Sequence, residues 1–439
     1  MPVSVETNHR LRRKIQITIP ADHIENLVKK ELFKLAPKLS LDGFRKGKVP
    51  LKIIAQRYES SIRHDVLKDL MQNHVRTAIN QQKIRPVGQM KYVSNEYQVG
   101  QDFTYLVEFE VYPNIEIKQW ENFHLKKPRV EVTEVDVDNM LMTLRQPQES
   151  WKKATRAAKV GDRVTIDLIS VEDGKNVEKF TDAVLVIGHG LMPLDFETGI
   201  IGHQSGETFR VEVRLSEDNQ VENLQNKLAN FSILLKKVEE LELTELNLDG
   251  IKSFRPADEG SISEIRHKIR QDLERELKWA VRSYIKLQVF NELLKSNTID
   301  LPVSLIETEM ERLRRQNSLY LVNNGNNFLP LPRIFLEAKA KKRVAISLLL
   351  SEFIRIHQIQ AEESKIQAFL EDLSATYDNP KKRREDIRKN NEITNHFYNR
   401  ILEDQAINMI INKSIVNETV MSFRDLMGHI KNNRWIEIY

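Results

Sequence analysis

Apolar and polar positions change period along this chain, and the changes divide it. Ile15, Ile17 and Ile19 alternate with Gln16 and Thr18, the period of a strand with one buried face. Ile24, Leu27, Val28, Leu32 and Leu35 then recur at helical spacing, with Asp22 and Glu25 set as a capping box at the start. A longer helical stretch covers about Leu51 to Gln82, its apolar side formed by Ile54, Tyr58, Ile62, Leu70, Val75 and Ile79. Phe103, Tyr105, Val107, Phe109 and Val111 alternate again. Helices laid on one face of an antiparallel sheet, an α+β module, satisfy this order.

The pattern changes after Pro113. Ile115 to Val132 reads as an extended connector broken by Pro128, and Thr133 caps a short helix that turns Val137, Met140, Leu141 and Leu144 inward. Strands then dominate: Val164 to Val171, Ala183 to Ile187, Glu207 to Leu215 and Asn230 to Val238. Glycine turns separate them, and one short helix lies near Pro193 to Gly199. From Ser261, which forms a capping box with Glu264, the chain reads as nearly all helix. The expected segments are about 262–296, 302–320, 332–358, 361–376, 383–412 and 419–431, with Pro302 and Pro332 at first helical positions. Asn323 to Asn327 and Asp378 to Pro380 are breaks. Periodicity alone allows either a globular bundle or protruding arms.

Composition narrows the chemistry. The 439 residues suit about three domains. With 40% apolar residues the chain can build cores. Cysteine is absent, which excludes thiolate catalysis and thiolate metal sites and suits a reducing cytosol. No apolar run is long enough to span a membrane, and Met1 to Pro20 has no signal-peptide core, so a cytoplasmic chain is expected. Charge is unevenly placed. Residues 1–110 hold 19 basic against 12 acidic side chains, and residues 150–245 hold 12 against 17. Such a chain docks one end on an anionic surface. Hydrolase, zinc-protease and Walker-type signatures are missing. His189 and His203 have no carboxylate or cysteine to complete a metal site, so no metal and no cofactor is expected. Lys381 to Arg384 is a basic run with the pattern of a solvated face.

One stretch concentrates recognition chemistry. In Gly43-Phe44-Arg45-Lys46-Gly47-Lys48-Val49-Pro50, two glycines permit a tight, projecting turn that carries an aromatic ring between cations. Guanidinium and ammonium groups pair with phosphate oxygens while the ring fills a dent. The same pattern by itself also describes an ordinary basic loop between helices.

These eight residues resemble the ribosome-docking signature of the trigger factor family, bacterial chaperones at the polypeptide exit tunnel. The likeness extends to Val3 to Thr7, Ala55 to Tyr58, Asp102 to Tyr105, Arg314 to Gln316, Leu348 to Leu350 and Glu403 to Ala406. Gly188 to Met192 with Phe196 to Gly202 resembles the core of FKBP-type prolyl isomerases, a domain that trigger factors carry as a head.

The resemblance implies a multidomain α+β chain. Residues 1–112 would be a ribosome-binding domain, 113–149 a linker, 150–246 an FKBP-like β-rich head, and 247–439 a largely helical body with arms. It implies an ATP-independent chaperone that binds the large ribosomal subunit, at an exit-tunnel protein and nearby rRNA, and shields nascent polypeptides. Gly43, Phe44, Arg45, Lys46, Gly47, Lys48 and Pro50 would make that contact. Homodimers off the ribosome are also implied.

Isomerisation needs little covalent chemistry: an apolar dish that desolvates the X-Pro bond lowers a barrier of roughly 18–20 kcal/mol. Met192, Phe196 and Phe231 stand at dish positions by the resemblance. Leu168, Val177, Ala183 and Asn219 fall where relatives usually carry aromatics, and Pro193-Leu194-Asp195 replaces the usual Ile-Pro-Gly. An attenuated isomerase is therefore expected, with Leu168 in the dish in place of an aromatic; Phe196 and Phe231 would serve equally as plain core. A client-binding surface would draw on Leu321, Phe328, Ile334, Phe335, Ile346, Leu349 and Phe353, each of which core packing would also explain. The alternatives are a dedicated prolyl isomerase and a periplasmic chaperone-isomerase.

Overall fold

The computed structural model describes residues 3–39, 41, 44–45, 49–94, 97–144, 150–172, 175–190, 192–214, 228–242, 262–324, 328–374 and 391–432. The chain divides into two compact units, one of residues 1–114 with 300–306, the other of residues 115–299 with 307–439.

The first unit is a four-stranded antiparallel sheet carrying two helices. Its strands are β1 (Val3–His9), β2 (Arg12–Ile19), β3 (Pro86–Ser94) and β4 (Phe103–Val111), in the order β1-β2-β4-β3. Ile15, Ile17 and Ile19 face Val107, Tyr105 and Phe103 across the β2–β4 register, so the two central strands present an apolar stretch on one face of the sheet. Helices α1 (Ala21–Leu35) and α2 (Leu51–Gln81) cover that face, burying Ile24, Val28 and Leu32 with Ile54, Leu70 and Val75. The buried Tyr105 keeps its hydroxyl satisfied by donating to the Met71 carbonyl at 3.1 Å.

The capping box expected at Asp22 and Glu25 does not form. Pro20 is the N-cap of α1, and Ala21 N–H donates to Asp102 at 2.9 Å. Glu25 turns instead to Arg63 of α2, whose guanidinium also holds Glu59. The Arg63 hydrogen bond, aided by the Tyr97 hydroxyl, holds the Glu25 carboxyl below its usual range. A partly buried cation recruits the nearest carboxylate more strongly than an exposed helix start does. Beside Ser304, Gly88 has a φ of +71°, and a Cβ there would strike the Ser304 side chain. Glu110 accepts both the Ser304 N–H and its hydroxyl, at 2.8 and 2.7 Å.

The second unit opens with β5 (His124–Arg129), which pairs in parallel with β11 (Ile415–Val420). The expected connector is thus a strand that continues through Pro128, opposite Thr419. Thr133 and Asp136 form a reciprocal cap at the start of α3 (Glu134–Leu144). That helix packs on α5 (Ile262–Ser296) through Val137, Leu141, Ile269 and Leu273.

Between them lies a five-stranded antiparallel sheet of β6 (Ser150–Lys153), β7 (Arg163–Glu172), β8 (Lys175–Val186), β9 (Thr208–Arg214) and β10 (Leu228–Glu242), with the single-turn α4 (Leu194–Thr198). The order is β6-β10-β7-β8, with β9 also pairing β10, so β8 is an edge. Asp162 joins β7 to the loop before it. Its burial would raise the pKa, but Arg156 at 2.6 Å and the Lys159 N–H at 2.9 Å bring it below the usual carboxylate range.

The remaining helices are α6 (Val303–Asn324), α7 (Arg333–Ile356), α8 (Glu363–Ser374), α9 (Asn391–Asn412) and α10 (Phe423–Asn432). Pro302 and Pro332 sit one residue before their helices rather than inside them. The expected helix 419–431 starts later, because residues 415–420 are strand. Helix α7 is buried on most sides. Its Arg343 pairs with Glu309 of α6 at 3.1 Å. Ser261, Lys381 to Arg384 and Asp378 to Pro380 lie outside the described residues.

Candidate functional sites

Two candidate sites come from the sequence, and the structure treats them in opposite ways. In the basic loop, Phe44 is 38% exposed and Arg45 is exposed, and Arg45 has no ion pair with another described residue. Phe44 N–H donates to the Leu41 carbonyl at 3.0 Å, a tight turn that starts the loop. Val49 anchors the other end by burying its side chain in the core of the first unit. Pro50 is the N-cap of α2, its carbonyl accepting from Ile53 and Ile54 at 2.9 and 3.2 Å. An exposed ring thus lies shortly before a segment fixed to α2. Gly43, Lys46, Gly47 and Lys48 lie outside the described residues. Sequence reasoning missed Phe33, 61% exposed on the last turns of α1, and Leu51 on the first turn of α2, also exposed. Helical spacing places Phe33 off the apolar face that holds Leu32, but spacing alone gives an outward ring no role.

The four dish residues come together, but inward. Phe196 of α4 meets Phe231 of β10 edge to face, with centroids 5.3 Å apart. Leu168 of β7 pairs with Ile233 of β10 in the same core, and Met192 closes it. All four are 4% exposed or less. The wall behind them is fixed by Glu197, which is buried and accepts the Gly188 N–H at 2.7 Å and the Met192 N–H at 3.2 Å. Val177 is exposed, Ala183 is buried, and Asn219 lies outside the described residues.

The open side of this cluster is filled by the chain itself. Phe335 of α7 lies 5.3 Å from the Phe231 ring and 6.4 Å from Phe196, and Leu329 is buried beside them. Phe335, Ile346, Leu349 and Phe353 fit either a client surface or core packing by sequence. The structure gives them the second role, because α7 is packed on several faces at once. Phe328 and Ile334 are half-buried, and the side chain of Leu321 lies outside the described residues. Among the described residues, no three or more His, Asp or Glu are placed to hold a metal, and no helix is long and apolar enough to cross a membrane.

An α+β unit that exposes Phe44 and Arg45, followed along the chain by a β-rich module and a set of helices, defines a multidomain protein of mixed helix and strand. Residues 1–144 match the family model described as bacterial trigger factor protein, and residues 261–412 match that of the bacterial trigger factor C-terminus. The chain belongs to the trigger factor family, a family of chaperones. It is also similar to a solved structure of a trigger factor chaperone, reported for promiscuous substrate recognition in folding and assembly. The two share 14% identity over 94% of this chain and 99% of that one, with a TM-score of 0.47.

Proposed function

We propose that this chain is an ATP-independent cytoplasmic chaperone that docks on the large ribosomal subunit through residues 43–50 and shelters emerging polypeptides. In this reading residues 1–112 form the ribosome-binding domain, 113–149 the linker, 150–246 the FKBP-like head and 247–439 the chaperone body. The observation that carries it is Phe44, an aromatic ring left in solvent next to an exposed arginine that no described carboxylate neutralises. Arg45 and Lys46 pair with rRNA phosphate or acidic side chains, and Phe44 fills an apolar dent on a ribosomal protein. Replacing Phe44, Arg45 and Lys46 together by alanine abolishes co-sedimentation with large ribosomal subunits while the circular dichroism spectrum stays native. Unchanged binding rejects the assignment.

The head adds a prolyl isomerase capacity, attenuated because Met192, Phe196, Phe231 and Leu168 are all covered. The same cover speaks against a dedicated isomerase. Turnover of a proline tetrapeptide at the efficiency of ordinary FKBP-type enzymes would reverse that ranking.

A further inference from the structure

We propose that residues 328–335 of this same chain, which carry two Leu-Pro bonds, are a resident ligand of the dish of the head and compete there with client segments. The inference rests on the isomerase reading of the head for its substrate class, but not for its geometry.

Three observations place the segment as a ligand rather than as one more core strand. The first is the backbone. Strand β8 is a sheet edge, and Phe328 forms an isolated parallel bridge to its Val184. Leu329 N–H donates to the Val184 carbonyl at 2.8 Å. Adding an extended segment to an open edge is how many domains take peptides. The second is the side chains. Leu329 and Phe335 are each 3% exposed within the cluster that holds Met192, Phe196 and Phe231. Neighbouring Ala183 on β8 is buried and small, leaving space for them.

The third is the sequence of the segment: Phe328-Leu329-Pro330-Leu331-Pro332 presents two Leu-Pro bonds in succession. The bridge to β8 is isolated, and each proline biases the leucine before it to an extended backbone. The chain then leaves the edge as α7, whose first N–H, at Arg333, donates to Glu178 of β8 at 2.8 Å. One backbone bond, one carboxylate and two apolar side chains therefore hold a prolyl segment over the dish. A client segment of the same chemistry enters only when residues 328–335 leave, so occupancy of the dish is an intramolecular competition.

The absence of cysteine makes the test clean. Bridged residues on neighbouring strands lie about 5 Å apart, within disulfide reach. Val184→Cys with Phe328→Cys in the full chain thus locks the segment when oxidised and frees it when reduced. The probe is a fluorescent peptide of residues 328–335, read by anisotropy. The reduced protein binds it at least tenfold more tightly than the oxidised protein, and a full chain carrying Leu329→Ala and Phe335→Ala binds it more tightly than the native chain. A peptide with both prolines changed to alanine binds at least fivefold more weakly. Equal binding in the two redox states, no binding to either, or indifference to the prolines overturns the proposal. Isomerisation of a Leu-Pro tetrapeptide is followed on the same samples. Redox-switched peptide binding without isomerisation leaves this proposal standing and removes the isomerase reading.

Discussion

The basic loop and the dish use the same raw material, aromatic and aliphatic side chains set beside glycine turns, and spend it differently. Phe44 stands out in solvent on a turn whose anchors, Val49 and Pro50, belong to the scaffold. Phe196 and Phe231, on a short helix and a strand, point at each other, and Phe335 completes their enclosure. The difference lies in what the flanking elements do with the backbone. In the loop, Val49 and Pro50 tie the downstream end to the core and to α2, and the Phe44 ring stays partly in solvent. In the head, the open edge of β8 invites another segment, and one arrives with apolar side chains at the right places. A motif of recognition residues is therefore a statement about chemistry, and exposure has to come from the surrounding architecture.

The strongest way to break this comparison is through stability. Truncating Phe231 to alanine removes a ring in contact with two others and leaves a cavity, which costs about 3–5 kcal/mol. Chemical denaturation followed by far-UV circular dichroism reads the loss as an earlier transition. A loss below about 1 kcal/mol would mean that the cluster is loosely packed and open, like the loop.

Next in size is the ion network under the loop's own scaffold. Arg63 is nearly buried and holds both Glu25 and Glu59. Arg63→Met strands the Glu25 carboxylate against α2 and costs about 2 kcal/mol, less than a fully buried pair because Glu59 reaches water. The denaturation midpoint falls accordingly, and Glu25→Gln in the same chain restores part of it.

Much of this architecture was legible beforehand, for identifiable reasons. The alternation of Ile15, Ile17 and Ile19 and of Phe103 to Phe109 became β2 and β4 because each strand has one buried face. The Thr133 cap formed because Asp136 lay within reach and nothing competed for either. The box at Asp22 and Glu25 failed because a tertiary cation outbid it. Strand β11 escaped notice because all six of its side chains are exposed, so its pairing with β5 left no apolar period to read.

At the sites, the sequence could name Phe44 and Arg45, and it could group Met192, Phe196, Phe231 and Leu168. It could not show that Leu329 and Phe335, roughly a hundred residues further on, would close the group. The only local sign was the doubled Leu-Pro, which reads equally well as a helix boundary.

A third effect separates the two regions by pH. His74 lies in the first unit beside His23, with ring centroids 6.2 Å apart, and its Nδ1 has no partner among the described residues. Burial first, and then the His23 charge, lowers its pKa below 6.5. The folded state therefore binds this proton less readily than the unfolded state does. Stability from this group is complete above pH 6.5 and drains away as the pH falls through the lowered value. Urea midpoints of the first unit decline from pH 7.5 to pH 5.5, and His74→Phe flattens that decline. An unchanged slope in the variant would show that His74 is already open to water.

The smallest stability effect falls on the two residues on which the proposed docking rests. Phe44 and Arg45 are both exposed, so Phe44→Ala and Arg45→Ala each shift stability by about 1 kcal/mol or less. Their effects on ribosome binding differ in kind. Removing one phosphate-pairing cation lowers the slope of log affinity against log salt by roughly one and weakens binding most at low salt. Removing the ring deletes an apolar contact that salt does not screen, so affinity falls by a similar factor at every ionic strength. Two parallel salt titrations of ribosome co-sedimentation distinguish these signatures. If Phe44→Ala changes the slope and Arg45→Ala does not, the ring is seated among phosphates and the guanidinium in the protein dent, and the roles assigned to the two residues are exchanged. If neither variant changes affinity while both remain folded, exposure at this turn has no bearing on recognition, and the contrast between an outward loop and a sealed dish reduces to a difference in packing.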